Sequence, residues 1–271
     1  MMKNLTIRLA LLIVCALSIN TTFAQDVRQK PIIKKQTTTT TKKQTSASTK
    51  KQTSTKKPQT TTRKWNYVGD YSEGLAPVKD ANGKYGFIDK TGQVVIPCQW
   101  KDAGDFSEGL AVVGDFNDKW GFIDNTGQVV IPCKWNWAGA FSEGLACVQD
   151  NNDKYGYIDK TGKVVIPGQW KDAGDFHEGL ACVQDNNDKY GYIDKTGKVV
   201  IPCQWKNAVI FSEGLANVKD FNDKWGYIDK TGRIVIPCKW KGAGWFNEGL
   251  AEVQDANDNF FIIDKTGKVV E

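Results

Sequence analysis

Residues 107–141 of this 271-residue chain read SEGLAVVGDFNDKWGFIDNTGQVVIPCKWNWAGAF, and the same 35-residue pattern returns without insertions through the C-terminal part of the chain. The string SEGLA, or a variant of it that differs at one residue, begins at Ser72, Ser107, Ser142, His177, Ser212 and Asn247. A fixed period of this length is typical of repeat proteins in which each unit completes the core of its neighbour. The sequence therefore predicts six tandem units over residues 65–271.

Each unit contains three short segments rich in Val, Ile and aromatic residues, for example Leu110 to Val113, Lys119 to Asp124 and Gln128 to Ile131. Asp, Asn and Gly residues separate the segments, and these residue types favour hairpin turns. We therefore expect an all-β fold of three-stranded antiparallel units, in which Pro132 and its counterparts end the third strand. Known four-stranded propeller units run to about 40 residues or more. A period of 35 thus favours an open twisted array, with a closed propeller-like ring as the alternative.

Differences between the copies indicate which positions are exposed. Ala111 and Val113 are identical in every copy, whereas Val112 is replaced by residues as different as Pro77 and Glu252. The first segment is therefore expected to be half buried. The second and third segments stay apolar at nearly every position, which predicts strands covered on both faces.

The first 64 residues differ in composition from the repeats. They carry 14 Lys and Arg against one acidic residue, whereas residues 65–271 carry 22 against 30. Residues 1–24 combine Lys3 and Arg8 with an apolar run and end in Thr-Phe-Ala, which is typical of a cleavable secretory signal. The run is too short for a membrane span, and no later segment is long and apolar enough to be one.

Residues 25–64 are rich in Thr, Lys and Gln and nearly free of large apolar side chains. Such a segment cannot bury enough apolar surface to offset the entropy of ordering, which predicts a disordered basic linker. The linker is interpreted as a spacer, and the same charges suit contact with an anionic cell-envelope surface. Specific nucleic-acid binding is not expected, because no aromatic residues are interleaved with the charges. The protein is predicted to be exported to the periplasm, the cell surface or the medium.

The string WG(F/Y)IDKTG(K/Q)VVIP, followed by FSEGLA, resembles the bacterial WG-repeat family, also called KWG repeats. The resemblance covers residues 65–271. Tyr85, Tyr155 and Tyr190 stand where the family has Trp, and Phe260-Phe261 departs from the aromatic-Gly pair, so the last copy is expected to act as a cap. The resemblance implies a β-repeat protein of bacterial origin, often exported, with no associated reaction and no agreed ligand.

Residues present in every copy are assigned to architecture. The glycines of the aromatic-Gly pairs belong to this group, as does one recurring set of tryptophans, although a regular ladder of indoles would also suit a glycan. The glycines are Gly86, Gly121, Gly156, Gly191 and Gly226, and the tryptophans are Trp100, Trp135, Trp170, Trp205 and Trp240. Trp137 and Trp245 occur in single copies, in the variable connection after the proline, and are the candidate ligand-binding residues.

The repeated acids are interpreted as turn formers, since a catalytic site needs one asymmetric cluster. No metal site is predicted, because close Cys and His spacing is missing and Lys154 and Tyr155 stand where a calcium loop requires a ligand and a glycine. The six cysteines after the signal are expected to be mostly small buried side chains, and the lone His177 a surface substitution. No cofactor or catalytic residue is assigned.

The sequence thus predicts an exported, non-enzymatic repeat protein that serves as a binding or structural scaffold. Its partner is expected to be a protein or a glycan of the cell envelope or the extracellular space. The alternative is a secreted carbohydrate-active enzyme built on a β ring.

Overall fold

The computed structural model describes residues 65–270, which form six consecutive antiparallel β-sheets. The signal and linker predicted for residues 1–64 lie outside the described residues. Five sheets have four strands and the last has three, each strand pairing with the next along the chain. The predicted all-β fold of six tandem antiparallel units is confirmed.

The strands follow the repeat with almost constant bounds. Sheet one contains β1 (Tyr67–Val68), β2 (Leu75–Lys79), β3 (Tyr85–Asp89) and β4 (Val94–Trp100). Sheet two contains β5 (Asp102–Ser107), β6 (Leu110–Gly114), β7 (Trp120–Asp124) and β8 (Val129–Trp135). Sheet three contains β9 (Trp137–Ser142), β10 (Leu145–Gln149), β11 (Tyr155–Asp159) and β12 (Val164–Trp170). Sheet four contains β13 (Asp172–His177), β14 (Leu180–Gln184), β15 (Tyr190–Asp194) and β16 (Val199–Trp205). Sheet five contains β17 (Asn207–Ser212), β18 (Leu215–Lys219), β19 (Trp225–Asp229) and β20 (Ile234–Trp240). Sheet six contains β21 (Gly242–Ala243), β22 (Leu250–Gln254) and β23 (Phe260–Asp264).

The three predicted segments are strands in five sheets, and the first two are strands in the sixth. A further strand, which the sequence pattern did not predict, precedes them in every sheet, and we call these six strands the first strands. In sheet two this strand pairs with β6 across a register shift between Ala103 and Phe106. The shift interrupts the alternation of apolar and polar residues, so the sequence pattern that predicts a strand is absent here.

The hairpin turns have the predicted backbone. Gly92 and its counterparts in the Thr-Gly turns have φ between 80° and 86°. In the turn between the second and third strands, Gly83 has φ 78°, and aspartates such as Asp118 (φ 61°) occupy the same place in the other units. Asp tolerates the left-handed region better than most residues, which explains its recurrence there.

The expectation that the Leu110–Val113 segment is half buried is wrong, because all of β6 is buried, including Val112. The expectation that the last strand of each unit is covered on both faces is also wrong. In β8 the side chains of Val129 and Val130 are exposed and only Ile131 is buried. This strand forms the outer edge of its sheet. Pro132 lies inside β8 rather than at its end, which is a position that proline tolerates on an edge strand because the missing N–H faces no partner.

Apolar packing between consecutive sheets forms the core. Between sheets one and two, Phe87 and Ile96 pack with Phe106, Val113 and Ile123. The rings of Phe87 and Phe106 lie 4.9 Å apart. The pair recurs at the later junctions, for example as Tyr192 and Phe211. Each sheet therefore buries its face only by packing on its neighbour, as the repeat period predicts.

The SEGLA string forms the polar part of each junction. Glu213 has φ 52°, and its carboxylate accepts a hydrogen bond of 2.9 Å from the Gly249 N–H of the next sheet. Lys265 of that sheet donates to the backbone oxygen of Glu213 at 3.0 Å and forms an ion pair with its carboxylate. Ser212 Oγ donates to Phe246 O at 2.7 Å. The glutamate thus spans two sheets, which explains its recurrence despite an unfavourable backbone conformation.

The glutamate–glycine hydrogen bond is made at all five junctions from sheet one to sheet six, and the lysine contact at four of them, because Asn125 stands where the others have lysine. These contacts are interrupted between sheet six and sheet one. Within residues 65–270, Glu248 forms no hydrogen bond or ion pair corresponding to those of Glu213. Tyr71 is 44% exposed where the matching phenylalanines are buried, and a side chain at Gly92 would meet nothing within 4 Å, whereas its counterparts approach an isoleucine of the preceding sheet. The open array that the sequence favoured agrees with this interruption.

Candidate functional surface on the first strands

The first strands of sheets two to five lie side by side. The strand β5 packs against β9, β9 against β13, and β13 against β17. Both tryptophans singled out from the sequence belong to this region. Trp137 begins β9, and Trp245 follows β21. The single-copy tryptophans thus lie at the start of a first strand and shortly after one, where the units also differ most in sequence.

Trp137 and Trp245 have different surroundings. Trp137 is half buried and its ring meets that of Tyr155 edge to face at 5.9 Å, so much of the indole takes part in packing. Trp245 is 56% exposed. Of the two candidates, Trp245 offers the larger surface to a partner.

The position of Trp245 defines a row with one residue from each unit, in the first strand or shortly after it, which we call the first-strand row. Its members in chain order are Asp70, Asp105, Ala140, Asp175, Ile210 and Trp245. Sheets one, two and four contribute carboxylates, whereas sheets five and six contribute large apolar side chains. All six residues are at least partly exposed. The row therefore has an acidic part and an apolar part.

Two carboxylates of the row influence each other. The pKa of Asp105 is raised by burial and by the negative charge of Asp70 on the preceding sheet. Like charges at close range are unfavourable, and a cation between or beside them relieves the repulsion. The acidic part of the row is therefore suited to a positively charged group.

Sequence reasoning identified Trp245 but assigned no role to Asp105 and Asp175, which hold the same position in other units. It also passed over Phe116 and Phe221, which are 60% and 58% exposed at hairpin turns. The sequence signal for these residues was that they differ between copies. Interpreting it required knowing that the first strand exists, and the register shift and glycines of that strand make it hard to recognise from sequence.

The recurring residues lie in the scaffold. Trp100 packs against the core between sheets one and two, and Trp205 and Trp240 are buried. A side chain at Gly191 would approach Ile201 O to 2.5 Å and Cys203 N to 2.7 Å, because the edge strand presses against the glycine. The same backbone approach occurs at Gly86, Gly121, Gly156 and Gly226.

The repeated aspartates close turns. Asp194 Oδ1 accepts hydrogen bonds from Thr196 Oγ1 at 2.6 Å and from the Thr196 and Lys198 N–H groups at 2.9 and 3.1 Å. The Thr196 hydroxyl bond is the main cause of the lowered pKa of Asp194. These contacts explain why the residue recurs in every copy, in agreement with its interpretation as a turn former.

The six cysteines of the described residues are all unpaired. Cys147 and Cys182 are fully buried, and each Sγ lies 3.4 Å from a backbone oxygen of the next sheet. Burial raises the pKa of Cys133 and Cys203 to about 11, so these thiols are poor nucleophiles at neutral pH. Within residues 65–270, no three His, Cys, Asp or Glu side chains are arranged to hold a metal ion, and no helix could span a membrane.

Three solved structures match the chain at low sequence identity. The computationally designed Ika8 protein is 12% identical, with a TM-score of 0.50 over 74% of this chain and 72% of that chain. BamB from Moraxella catarrhalis is 13% identical, with a TM-score of 0.47 over 76% and 75% of the two chains. The WD40 β-propeller domain of Doa1 is 12% identical, with a TM-score of 0.36 over 72% and 76%. No curated protein matches the chain.

A family model described as "WG containing repeat" matches the chain six times, at residues 62–85, 85–120, 120–155, 155–190, 190–225 and 225–258. These matches follow the 35-residue period and confirm the resemblance carried by the aromatic-Gly pairs. The chain belongs to the family of WG-containing repeat proteins.

Proposed function

We propose that this protein is an exported, non-enzymatic binding scaffold that receives a partner on its first-strand row. The observation that carries the proposal is the composition of the row. The junction contacts recur from unit to unit, whereas the row changes from carboxylates at Asp70 and Asp105 to apolar side chains at Ile210 and Trp245. A surface that varies on a repeated frame is suited to recognition.

The chemistry of the row favours a protein segment that carries Lys or Arg beside apolar side chains. The mutually repelling carboxylates of Asp70 and Asp105 favour a cation. Exposed tryptophans are frequent energetic centres of protein interfaces. A glycan could stack on Trp245, but it would not require the paired negative charges.

Export is supported by the features of residues 1–24, and the basic linker at 25–64 would hold the repeats away from an anionic envelope surface. Cleavage after Ala24 leaves Gln25 as the first residue of the exported protein. N-terminal sequencing of that protein checks this, and an intact Met1 in the purified protein would contradict it.

The binding proposal is tested with a fluorescent peptide of alternating Lys and Leu, titrated with the purified protein and followed by anisotropy. A peptide of alternating Glu and Leu should not bind. Trp245→Ala should weaken binding about tenfold, as expected for an interface tryptophan that contributes strongly to binding. Asp105→Asn should also weaken it, because the substitution removes one charge of the pair.

The matched control is Phe221→Ala, which removes an aromatic ring of similar exposure at a hairpin turn and should leave binding unchanged. Equal loss in Trp245→Ala and Phe221→Ala would overturn the assignment of the row. Retention on a glycan array that is lost in Trp245→Ala, without peptide binding, would replace the protein partner by a glycan. Hydrolysis of a glycan panel would contradict the non-enzymatic assignment.

A further inference from the structure

One junction differs from the others at a single position in the outer edge strand. The cysteine of this strand packs in the same apolar cluster as the tryptophan that ends the preceding unit, as seen for Trp100 with Cys133 and for Trp170 with Cys203. In the third unit this residue is Gly168. Trp135 of the preceding sheet therefore lacks the thiol that its counterparts contact.

A cavity of about 160 Å³ lies at this place, lined by Trp135, Val148, Val164, Ile166 and Pro167, with Gly156 and Gly168 on its backbone side and Asp150 and Lys154 as its charged residues. The indole N–H of Trp135 is buried without a hydrogen-bond partner in the described residues. This is shared with the other repeated tryptophans, so the feature specific to this junction is the volume beside Gly168.

Asp150 Oδ2 lies next to the position that a side chain at Gly168 would take. A Cβ atom at Gly168 would lie 2.6 Å from Asp150 Oδ2. In the next unit, Asp185 Oδ2 accepts a hydrogen bond from Asn187 Nδ2 at 3.5 Å. Asp150 Oδ1 accepts the Asn152 and Lys154 N–H groups at 2.8 and 2.9 Å, but within residues 65–270 Oδ2 accepts no hydrogen bond. A carboxylate oxygen at the cavity wall is thus available to a ligand.

Asp150 Oδ2, which accepts no hydrogen bond within the described residues, is the group that favours a cation at this cavity. Lys154 Nζ, the positive group nearest in sequence, donates to Asn186 Oδ1 of the next sheet at 2.6 Å rather than to Asp150. Lys134 Nζ lies over the Trp135 ring, 5.0 Å from its centroid, so the indole contributes to the cavity as an apolar wall. The remaining walls are apolar and suit a hydrocarbon body.

We propose that the Gly168 cavity binds a small primary ammonium compound whose charge pairs with Asp150 Oδ2 and whose hydrocarbon body contacts Trp135, Val148 and Ile166. A cavity of about 150 Å³ accommodates a benzene-sized molecule, so the ligand has roughly six or seven non-hydrogen atoms. The site lies on strands other than the first strands, and its existence does not depend on the proposed function of the first-strand row.

The experiment titrates the full protein with cyclohexylammonium chloride and follows saturation-transfer NMR signals, with cyclohexanol as a neutral probe of the same shape. Saturable binding of the ammonium compound is expected, with at least tenfold weaker binding of cyclohexanol. Asp150→Asn should weaken ammonium binding about tenfold. The matched control is Asp185→Asn, the same position in the next unit, where Cys203 occupies the site; it should bind like the unmodified protein.

Gly168→Cys restores the residue of the other units and should abolish saturable binding while the protein remains folded, since four units already carry cysteine there. Gly168→Ala, which places only a Cβ atom beside Asp150, is a second variant with the same expected loss. Thermal melting of both variants verifies the fold. Binding that survives in a folded Gly168 variant, equal binding of cyclohexanol, or no saturable binding to the unmodified protein would each overturn the proposal.

Discussion

The glycine of the aromatic-Gly pair is the residue that the sheet geometry constrains most directly. Gly191 lies opposite the bulged edge strand β16, whose backbone leaves no space for a side chain. The sixth unit has no glycine at this position, and its sheet shows why. Phe261 occupies the glycine position in sheet six, where the described residues form only a single bridge, Ile263 with Val269, in place of a fourth strand. The departure from the pattern thus follows from the missing edge strand.

Gly191→Ala should lower the free energy of unfolding by about 1–3 kcal/mol, because overpacking against backbone atoms forces a shift of the edge strand. Gly174→Ala is the matched control, since a Cβ atom there would meet only Cys182 O at an ordinary 3.9 Å. Denaturant unfolding of both variants measures the difference. Equal effects would show that the close approach at Gly191 has no energetic consequence.

At the scale of strands and turns, the sequence predicted three of the four strands and missed the first. The three predicted strands have β-branched and aromatic residues bounded by turn residues, as in Val94–Trp100. The first strand has glycines and a variable composition, seen in Asp102–Ser107 against Asn207–Ser212. Backbone hydrogen bonds can form with many different side chains, so the first strand has no side-chain pattern by which the sequence would predict it. The candidate surface lies on this strand, and for that reason sequence reasoning found Trp245 but not the row around it.

Exposure of the outer strand was mispredicted for a related reason. Val129 and Val130 remain apolar in all copies, which suggests burial, yet both are exposed on an edge. Valine favours extended backbone whether or not its side chain is covered. A uniform residue type in repeats therefore indicates a shared local structure and not always a shared buried environment.

Four of the repeated glutamates contact the glycine N–H and the lysine of the next sheet, as Glu213 does with Gly249 and Lys265, and we call this arrangement the clamp. The clamp gives a pH-dependent contribution to stability. The hydrogen bond from Lys265, together with the Gly249 N–H, lowers the pKa of Glu213 below its usual range. A carboxyl group with a lowered pKa in the folded state stabilises the fold above its unfolded pKa, and this stabilisation is lost as the pH falls through the folded pKa. The acid limb of the stability profile should therefore include the loss of these clamps.

Glu213→Gln should lower the melting temperature at pH 7 by about 2 °C, the scale of an exposed ion pair in a domain of this size. The difference from the unmodified protein should shrink as the pH falls below about 4. Glu248→Gln is the control, because Glu248 has the same sequence context without the clamp. Melting curves recorded from pH 7 to pH 3 test this, and an equal effect of the two substitutions at pH 7 would contradict it.

At the scale of the whole repeat region, the interruption between sheets six and one makes a further prediction. Each junction has the same glutamate–glycine hydrogen bond, so removing residues 136–170 would place sheet four against sheet two with equivalent partners. Glu108 would face the Gly179 N–H, as Glu143 does now. Stability in such arrays is approximately a sum of unit and nearest-neighbour terms. The shortened protein should therefore fold, with one unit and one junction less stability, whereas a ring of six fixed by closure would be broken.

Far-UV circular dichroism and denaturant unfolding of this deletion test the prediction. The control removes residues 136–152, which shifts the repeat out of phase, separates the SEGLA strings from their partners and should prevent cooperative folding. An unfolded in-phase deletion would show that the six units depend on one another beyond their neighbours. A folded one would show that neighbouring contacts are sufficient, which is the property that lets single positions such as Gly168 and Trp245 diverge without loss of the frame.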